Sequence, residues 1–161
     1  MLIHRRRFDF EGENVSVVGC TLWSRIQEEA KEVVRLKVRD FGKIEGWSVE
    51  GHNKLFGVES EWLTSQIGGI RGEGKGDGNG KERRVLVITH HAPCVEGTAR
   101  PEQVGNTWSS AFASDLLRED GGGMWDGVKV WVFGHTHFST EFERAGVRVL
   151  SNQRGYVLPG N

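Results

Sequence analysis

Val85-Leu86-Val87-Ile88-Thr89-His90-His91-Ala92-Pro93 is the stretch whose reading decides the fold. Its first four residues are apolar and mostly β-branched, a run of strand length of the kind found where both faces of a sheet are covered. The run stops at a histidine pair. A second apolar run, Val128 to Phe133, stops in the same manner at Gly134-His135-Thr136-His137. Loops just past the carboxyl ends of strands are where open α/β sheets place their ligand sites. Neutral imidazole is a common ligand for zinc, iron and nickel. One His-x-His alone is equally a polar turn; two strand-terminal histidine elements on matched apolar runs shift the weight toward metal.

Outward from these two runs, strands are expected at 14–20, 85–89, 128–134, 138–143 and 147–151, the last two joined as a hairpin through Ala145-Gly146. Ser24 and Gln27 have capping-box spacing, and Ile26, Ala30, Val33, Val34 and Phe41 recur at helical intervals, which predicts a helix over 25–41. Leu55, Phe56, Trp62, Leu63 and Ile67 predict a second over 53–67. Trp108, Phe112 and Leu116 fall four apart and predict a third over 108–118. Strands alternate with helices, so the class is α/β (α+β). Between the halves, Gly72-Glu73-Gly74-Lys75-Gly76-Asp77-Gly78-Asn79-Gly80 alternates glycine with polar residues and cannot bury a face. A flexible loop over 70–82 is expected inside a single domain, 1–161. It lacks the Gly-Lys-[Ser/Thr] ending of a phosphate-binding loop and the closing glutamate of a calcium loop.

The chain has 161 residues, 37% apolar and 27% charged, which suits one packed domain. Twenty-one basic residues against 22 acidic ones give a net charge of −1, which argues against a general affinity for nucleic acid or an anionic membrane. Arg5-Arg6-Arg7 is read as a solvated cluster. No apolar stretch is long enough to span a bilayer, and Met1-Leu2-Ile3-His4-Arg5 lacks a secretory apolar run. Cys20 and Cys94 are too few for a disulfide framework and read as buried thiols, so a cytoplasmic location is expected. The oligomeric state stays open.

Taken in order, several segments resemble the calcineurin-like metallophosphoesterase superfamily. They are Gly19-Cys20-Thr21-Leu22-Trp23-Ser24, Asp40-Phe41-Gly42-Lys43-Ile44, Glu61-Trp62-Leu63, Val87 to Pro93, Ala111 to Leu116, Trp131 to His137, and Ser151-Asn152-Gln153-Arg154-Gly155-Tyr156. The resemblance covers nearly the whole chain and corresponds to the C-terminal half of that domain. It implies a partial β-sandwich flanked by helices and hydrolysis of a phosphate mono- or diester. It also implies two divalent ions (manganese, iron or zinc) in the complete site. By resemblance His90 and His135 would hold one metal and His137 the other. His91 matches no ligand position and is assigned to substrate phosphate or to packing. The two ions would clamp phosphoryl oxygens and activate a bridging water.

The Asp-x-His, Gly-Asp and Gly-Asn-His-[Asp/Glu] motifs of that family have no counterpart here. Gly76-Asp77 and Gly78-Asn79 echo them inside the glycine run, with no strand before them and no histidine after. With imidazoles alone, two divalent ions would repel strongly, so fewer than two are expected in this chain. The leading expectation is a metal-dependent phosphoesterase acting on a phosphate ester, impaired when isolated. The alternative is a non-catalytic remnant that binds at most one metal or a protein partner. A third reading places one zinc on His90, His135 and His137. Cys94 reads as small and buried, Asp115 as a local hydrogen-bond acceptor, and Asn152, Arg154 and Tyr156 as anchors of the last strand.

Overall fold

The computed structural model describes residues 3–73, 82–120 and 122–153. Six strands form one mixed sheet in the order β1-β2-β3-β4-β6-β5. They are β1 (Arg6–Phe10), β2 (Val15–Cys20), β3 (Arg84–Thr89), β4 (Val128–Val132), β5 (Thr140–Arg144) and β6 (Val147–Ser151). The four central strands run parallel, and β1 and β5 close the two edges antiparallel. The expected sandwich is thus corrected to a single six-stranded sheet with helices. The hairpin strands β5 and β6 pair edge-on with β4 instead of starting a second layer.

Register sorts the side chains into two faces. Val18, Val87, Trp131 and Val149 align across four strands and are fully buried. Against them pack Leu63, Ile67 and Ile70 of α3 (Val49–Glu73). The buried residues of α3 also include Val49, His52 and Glu59, so two polar side chains lie on an otherwise apolar helix face. The other sheet face carries Phe8, Val17, Leu86, Ile88, Val130, Val132 and Leu150, each only half-buried.

Helix boundaries depart from the expected ones for identifiable reasons. The helix expected over 25–41 is a 3-10 turn at Glu28–Ala30, then α1 (Lys31–Lys37) and α2 (Asp40–Lys43). Residues before the turn give their backbone donors to other elements: Arg25 N–H to Ser114 Oγ, Ile26 N–H to Asn53 Oδ1, and Gln27 N–H to Ser110 Oγ. The capping box does not form, because Ser24 Oγ bonds His52 Nε2 at 3.1 Å. Extended Val38 (ψ 121°) separates α1 from α2. α3 is longer at both ends than 53–67.

The helix expected over 108–118 is only a 3-10 turn, Ser109–Ala111. Beyond it the chain lies beside the loop after β3, with Ala92 N–H on Phe112 O, Ser114 N–H on Ala92 O and Leu116 N–H on Pro93 O. The four-residue spacing of Trp108, Phe112 and Leu116 therefore reflects packing into two different clusters. The predicted hairpin is present, and Ala145 (φ 49°) and Gly146 (φ 73°) supply the two left-handed residues that a tight two-residue turn requires. Of the loop expected over 70–82, residues 70–73 are helical and 74–81, with Asp77 and Asn79, lie outside the described residues. Arg154 and Tyr156 do as well.

β1 was not expected: its arginines looked like a solvated run. Arg7 instead turns to the α3 side of the sheet, where its Nη1 donates to Glu73 Oε1 at 2.9 Å and its Nε to Asp9 Oδ1 at 2.8 Å. Among the described residues no helix is long and apolar enough to cross a membrane. Cys20 and Cys94 are free and buried, and burial pushes both thiols up to about 12.

Candidate functional site

Three loops meet at the carboxyl ends of β2, β3 and β4. The loop after β3 is pinned from several sides. His90 N–H and His91 N–H both donate to Thr21 O, at 3.2 and 3.1 Å. Thr89 Oγ1 donates to His91 O at 2.7 Å and accepts Trp131 Nε1–H at 2.9 Å. Gly134 N–H then donates to His90 O at 3.0 Å, which ties the end of β4 to the same loop. A Cβ at Gly134 would stand 3.4 Å from His90 Nδ1, an ordinary contact, so the His90 ring lies directly against the chain at this position.

Backbone strain concentrates at these loops. Leu22 (φ 70°), Trp23 (φ 52°), His135 (φ 65°) and His137 (φ 52°) all adopt the left-handed region that non-glycine residues avoid. Such strain persists only where the surroundings impose it. After β2 the imposing group is Glu59, a buried α3 carboxylate that accepts Leu22 N–H at 2.5 Å. Burial raises its pKa above the usual carboxylate range.

The histidine rings gather behind this frame. His135 lies 4.7 Å from His90 and 4.3 Å from His91 between ring centroids, and Phe112 stacks on it at 4.7 Å. His91 touches His52 of α3 at 5.5 Å and Trp23 at 5.4 Å. Trp47 lies against Trp23 at 4.5 Å and against His52 at 6.0 Å. His137 is exposed, and its charge reaches both His90 and His135.

Burial depresses the imidazole pKa values of His52, His90, His91 and His135. His135 falls to about 3, with the neighbouring histidines adding to the effect, and His52 falls to about 4. His90 is lowered by burial and by His137, against an opposing pull from Asp40. His91 is lowered furthest below its ordinary range, by burial first. At neutral pH these rings are therefore uncharged and present lone pairs, the form that binds metal. Nε2 of His135 and Nδ1 of His52 are buried with no hydrogen-bond partner among the described residues, as are Thr136 Oγ1 and Trp47 Nε1. Buried polar atoms without partners mark a place where water or a ligand belongs.

The described residues do not, however, arrange three or more histidine, cysteine, aspartate or glutamate side chains as a ligand set. An open cleft of about 390 Å³ borders His90, lined by Ile3, His4, Cys20, Thr21, Ile88 and Thr89. His52 and Trp47 were not among the candidates read from the sequence. The available signal was a histidine one residue before the helix predicted over 53–67, which the structure extends back to Val49. Asp115 does act as a local acceptor, taking Val95 N–H at 2.9 Å.

Fold and site together define an α/β chain with histidine-bearing loops at the carboxyl end of a largely parallel sheet. No family model matches it. In sequence it is 27% identical over 157 residues to an uncharacterized protein of Acanthamoeba polyphaga mimivirus, covering 91% of this chain and 52% of that protein. In structure it resembles the phosphopantetheinyl hydrolase PptH of Mycobacterium tuberculosis, with a TM-score of 0.52 and 12% identity. That match covers 88% of this chain and 50% of the hydrolase. The chain thus spans about half the length of each. The resemblance to the calcineurin-like metallophosphoesterase superfamily is corrected accordingly: what the comparisons support is a fold shared with that hydrolase and a viral relative without assigned activity.

Proposed function

We propose that this chain is a phosphoester hydrolase that uses a divalent metal ion held at the histidine cluster. The observation that carries the reading is the buried, partnerless Nε2 of the neutral His135 ring, 4.7 Å between ring centroids from His90, where two strands end. His90 and His135 would hold the ion, with His137 completing or flanking the set. Manganese, iron and zinc all accept such donors. A bound divalent ion supplies Lewis acidity toward a phosphoryl oxygen and lowers the pKa of water.

The chain's own residues do the rest. Thr21 O, Thr89 and Gly134 fix the two histidine loops, Phe112 backs His135, and the left-handed His135 and His137 turn their side chains out of the strand line. The cleft beside His90 has room for a phosphate ester, and the fold neighbour's name makes phosphopantetheinyl esters a natural first substrate to test. His91, deep behind His135, supports the ligand ring and stands further from that cleft.

One observation favours a second reading, a non-catalytic chain that binds at most one metal or a protein partner: among the described residues no three or more histidine, cysteine, aspartate or glutamate side chains are arranged as a ligand set. Metal content of the purified protein, measured together with manganese-dependent hydrolysis of bis(p-nitrophenyl) phosphate, tests both. Turnover that needs metal and is lost in His135→Ala supports the hydrolase. One tightly bound ion without turnover supports the second reading.

A further inference from the structure

Residues just ahead of β1 are fixed from two sides. Ile3 is seated on β2: a Cβ at Gly19 would overlap Ile3 Cγ2 and stand 2.9 Å from Ile88 O, so a side chain there would displace it. Arg5 then takes a left-handed backbone (φ 49°), which breaks the line of the strand just before Arg6. Strain of that kind persists only where the surroundings impose it. Between these two constraints His4 is brought to the carboxyl end of β2. There it lines the cleft of about 390 Å³ together with Cys20, Thr21, Thr89 and His90.

One edge of the His4 ring is already engaged. Nδ1 lies 3.5 Å from Glu59 Oε1 and 3.5 Å from Thr21 Oγ1. Among the described residues both polar contacts of the ring are made by Nδ1, which leaves Nε2 on the opposite edge of a side chain 40% exposed. Glu59 is buried, and its other oxygen accepts Leu22 N–H.

The negative charge of Glu59 is more than the backbone contact needs. Leu22 N–H requires only an acceptor oxygen, and a glutamine amide would supply one without the cost of burying a charge. The groups that face the carboxylate are His4 and Arg5 ahead of β1, Leu22 N–H and the Cys20 thiol of β2. Burial raises Glu59, while Leu22 N–H, His4 and Arg5 draw it back. Burial first and Glu59 second push the Cys20 thiol up to about 12, so it stays neutral and offers no competing charge. What the carboxylate adds is compensation for a cation. With a proton on each nitrogen of His4, Nδ1–H faces Glu59 and Nε2–H is left to donate to an anion, a charge-assisted hydrogen bond.

We propose that His4 is a phosphate-binding residue of the cleft beside His90, with Glu59 as the residue that positions it; the ligand class rests on the phosphoester reading of that cleft. Nε2–H of His4 donates to a phosphoryl oxygen, and Arg5 adds a second positive charge nearby. The helix α3 thus serves the site through one carboxylate that holds the loop after β2 with one oxygen and the His4 ring with the other.

Inorganic phosphate titrated into the metal-free 161-residue chain at pH 7.5, followed on the ring nitrogens of His4 and His90 by nitrogen-15 NMR, tests the proposal. Both His4 nitrogens are expected to move, saturably, toward the values of a doubly protonated ring. His4→Ala is expected to weaken phosphate binding, read at His90, at least about tenfold. Glu59→Gln keeps an oxygen for Leu22 N–H and is expected to weaken binding about threefold, with a smaller response of the His4 ring. Circular dichroism confirms that each variant is folded. A His4 ring indifferent to phosphate overturns the proposal, as does equal affinity in His4→Ala or in Glu59→Gln. In hydrolysis with manganese, His4→Ala should raise KM at least about fivefold and lower kcat less. Phosphate binding that depends on His4 in a chain without turnover removes the hydrolase reading and leaves this inference standing. Turnover with an unchanged KM in His4→Ala overturns this inference and leaves the hydrolase reading standing.

Discussion

The Glu59 carboxylate accepts the Leu22 N–H at 2.5 Å from within the core, and this one contact joins the long helix to the strained loop after β2. Leu22 and Trp23 both hold left-handed backbone angles, a cost of order 1–3 kcal/mol for each such residue. Trp23 then packs on His91 and His52. The helix that seals the sheet thereby also sets the floor of the histidine cluster.

Glu59→Ala is expected to lose about 1–3 kcal/mol, because it strands a buried N–H. Glu59→Gln keeps an acceptor oxygen and removes the charge. The folded-state pKa of Glu59 lies above its ordinary value, so its ionised form is disfavoured in the fold, and this contribution to stability falls as pH rises from the ordinary carboxylate range through the raised folded value. Glu59→Gln should therefore melt at or above the wild-type temperature at pH 7 and lack that component of the pH dependence. His4 Nδ1, 3.5 Å from Glu59 Oε1, moderates the effect but lies partly exposed. Thermal melts from pH 4 to 8 check this, and a Gln variant much less stable than wild type at pH 7 contradicts it.

His52 has the opposite sign. Its folded pKa of about 4 lies below the ordinary 6.5, so the unfolded chain takes up a proton first as pH falls. The stability tied to neutral His52 is present above 6.5 and drains away between 6.5 and 4, roughly 3 kcal/mol for a gap of that size. In metal-free protein, His52→Gln should flatten the loss of stability across that interval by close to one proton. Denaturant melts at pH 7, 6, 5 and 4 give the slope, and an unchanged slope contradicts the assignment.

The four strands β2, β3, β4 and β6 were legible because their apolar runs are short and bounded, and the β5–β6 turn because Ala145-Gly146 offers two left-handed positions. β1 was hidden because an edge strand with one face on ion pairs carries arginines where a central strand carries valines. The helix expected around Trp108 failed because periodicity records which residues are buried, not where the backbone hydrogen bonds go, and there they go to Ala92 and Pro93. His90 and His135 could be marked from sequence since each follows a strand directly. Their 4.7 Å ring separation came from the adjacency of β3 and β4, which sequence order alone does not fix. His52 escaped because its partners, Ser24, Trp23 and His91, are all distant in the chain.

If the hydrolase reading holds, removing a ligand should cost far more than removing a ring behind it. His135→Ala and His137→Ala are each expected to lower metal-dependent hydrolysis at least about 100-fold, at or beyond the range seen for outer partners of metal ligands. His91→Ala and Cys94→Ala should do less harm. Steady-state rates with manganese at fixed pH check the ranking. Activity in His135→Ala equal to wild type contradicts the assignment.

Gly134 separates site geometry from stability. Its backbone lies outside the left-handed region, so a larger residue meets no conformational penalty there, and the constraint is space. An alanine Cβ would touch His90 Nδ1 at 3.4 Å, ordinary contact, so Gly134→Ala should melt within about 4 °C of wild type, less than 1 kcal/mol for a chain of this size. The branched γ carbons of valine extend past that limit toward the His90 ring and its carbonyl, 3.7 Å from the same Cβ. That carbonyl accepts Gly134 N–H, so displacing it loosens the link between the two loops. Gly134→Val should therefore weaken zinc binding by at least about tenfold while the sheet stays folded. Calorimetric titration with zinc, beside a circular dichroism melt, reads both quantities. Equal zinc affinity in the glycine and valine forms would show that His90 does not take part in binding the ion.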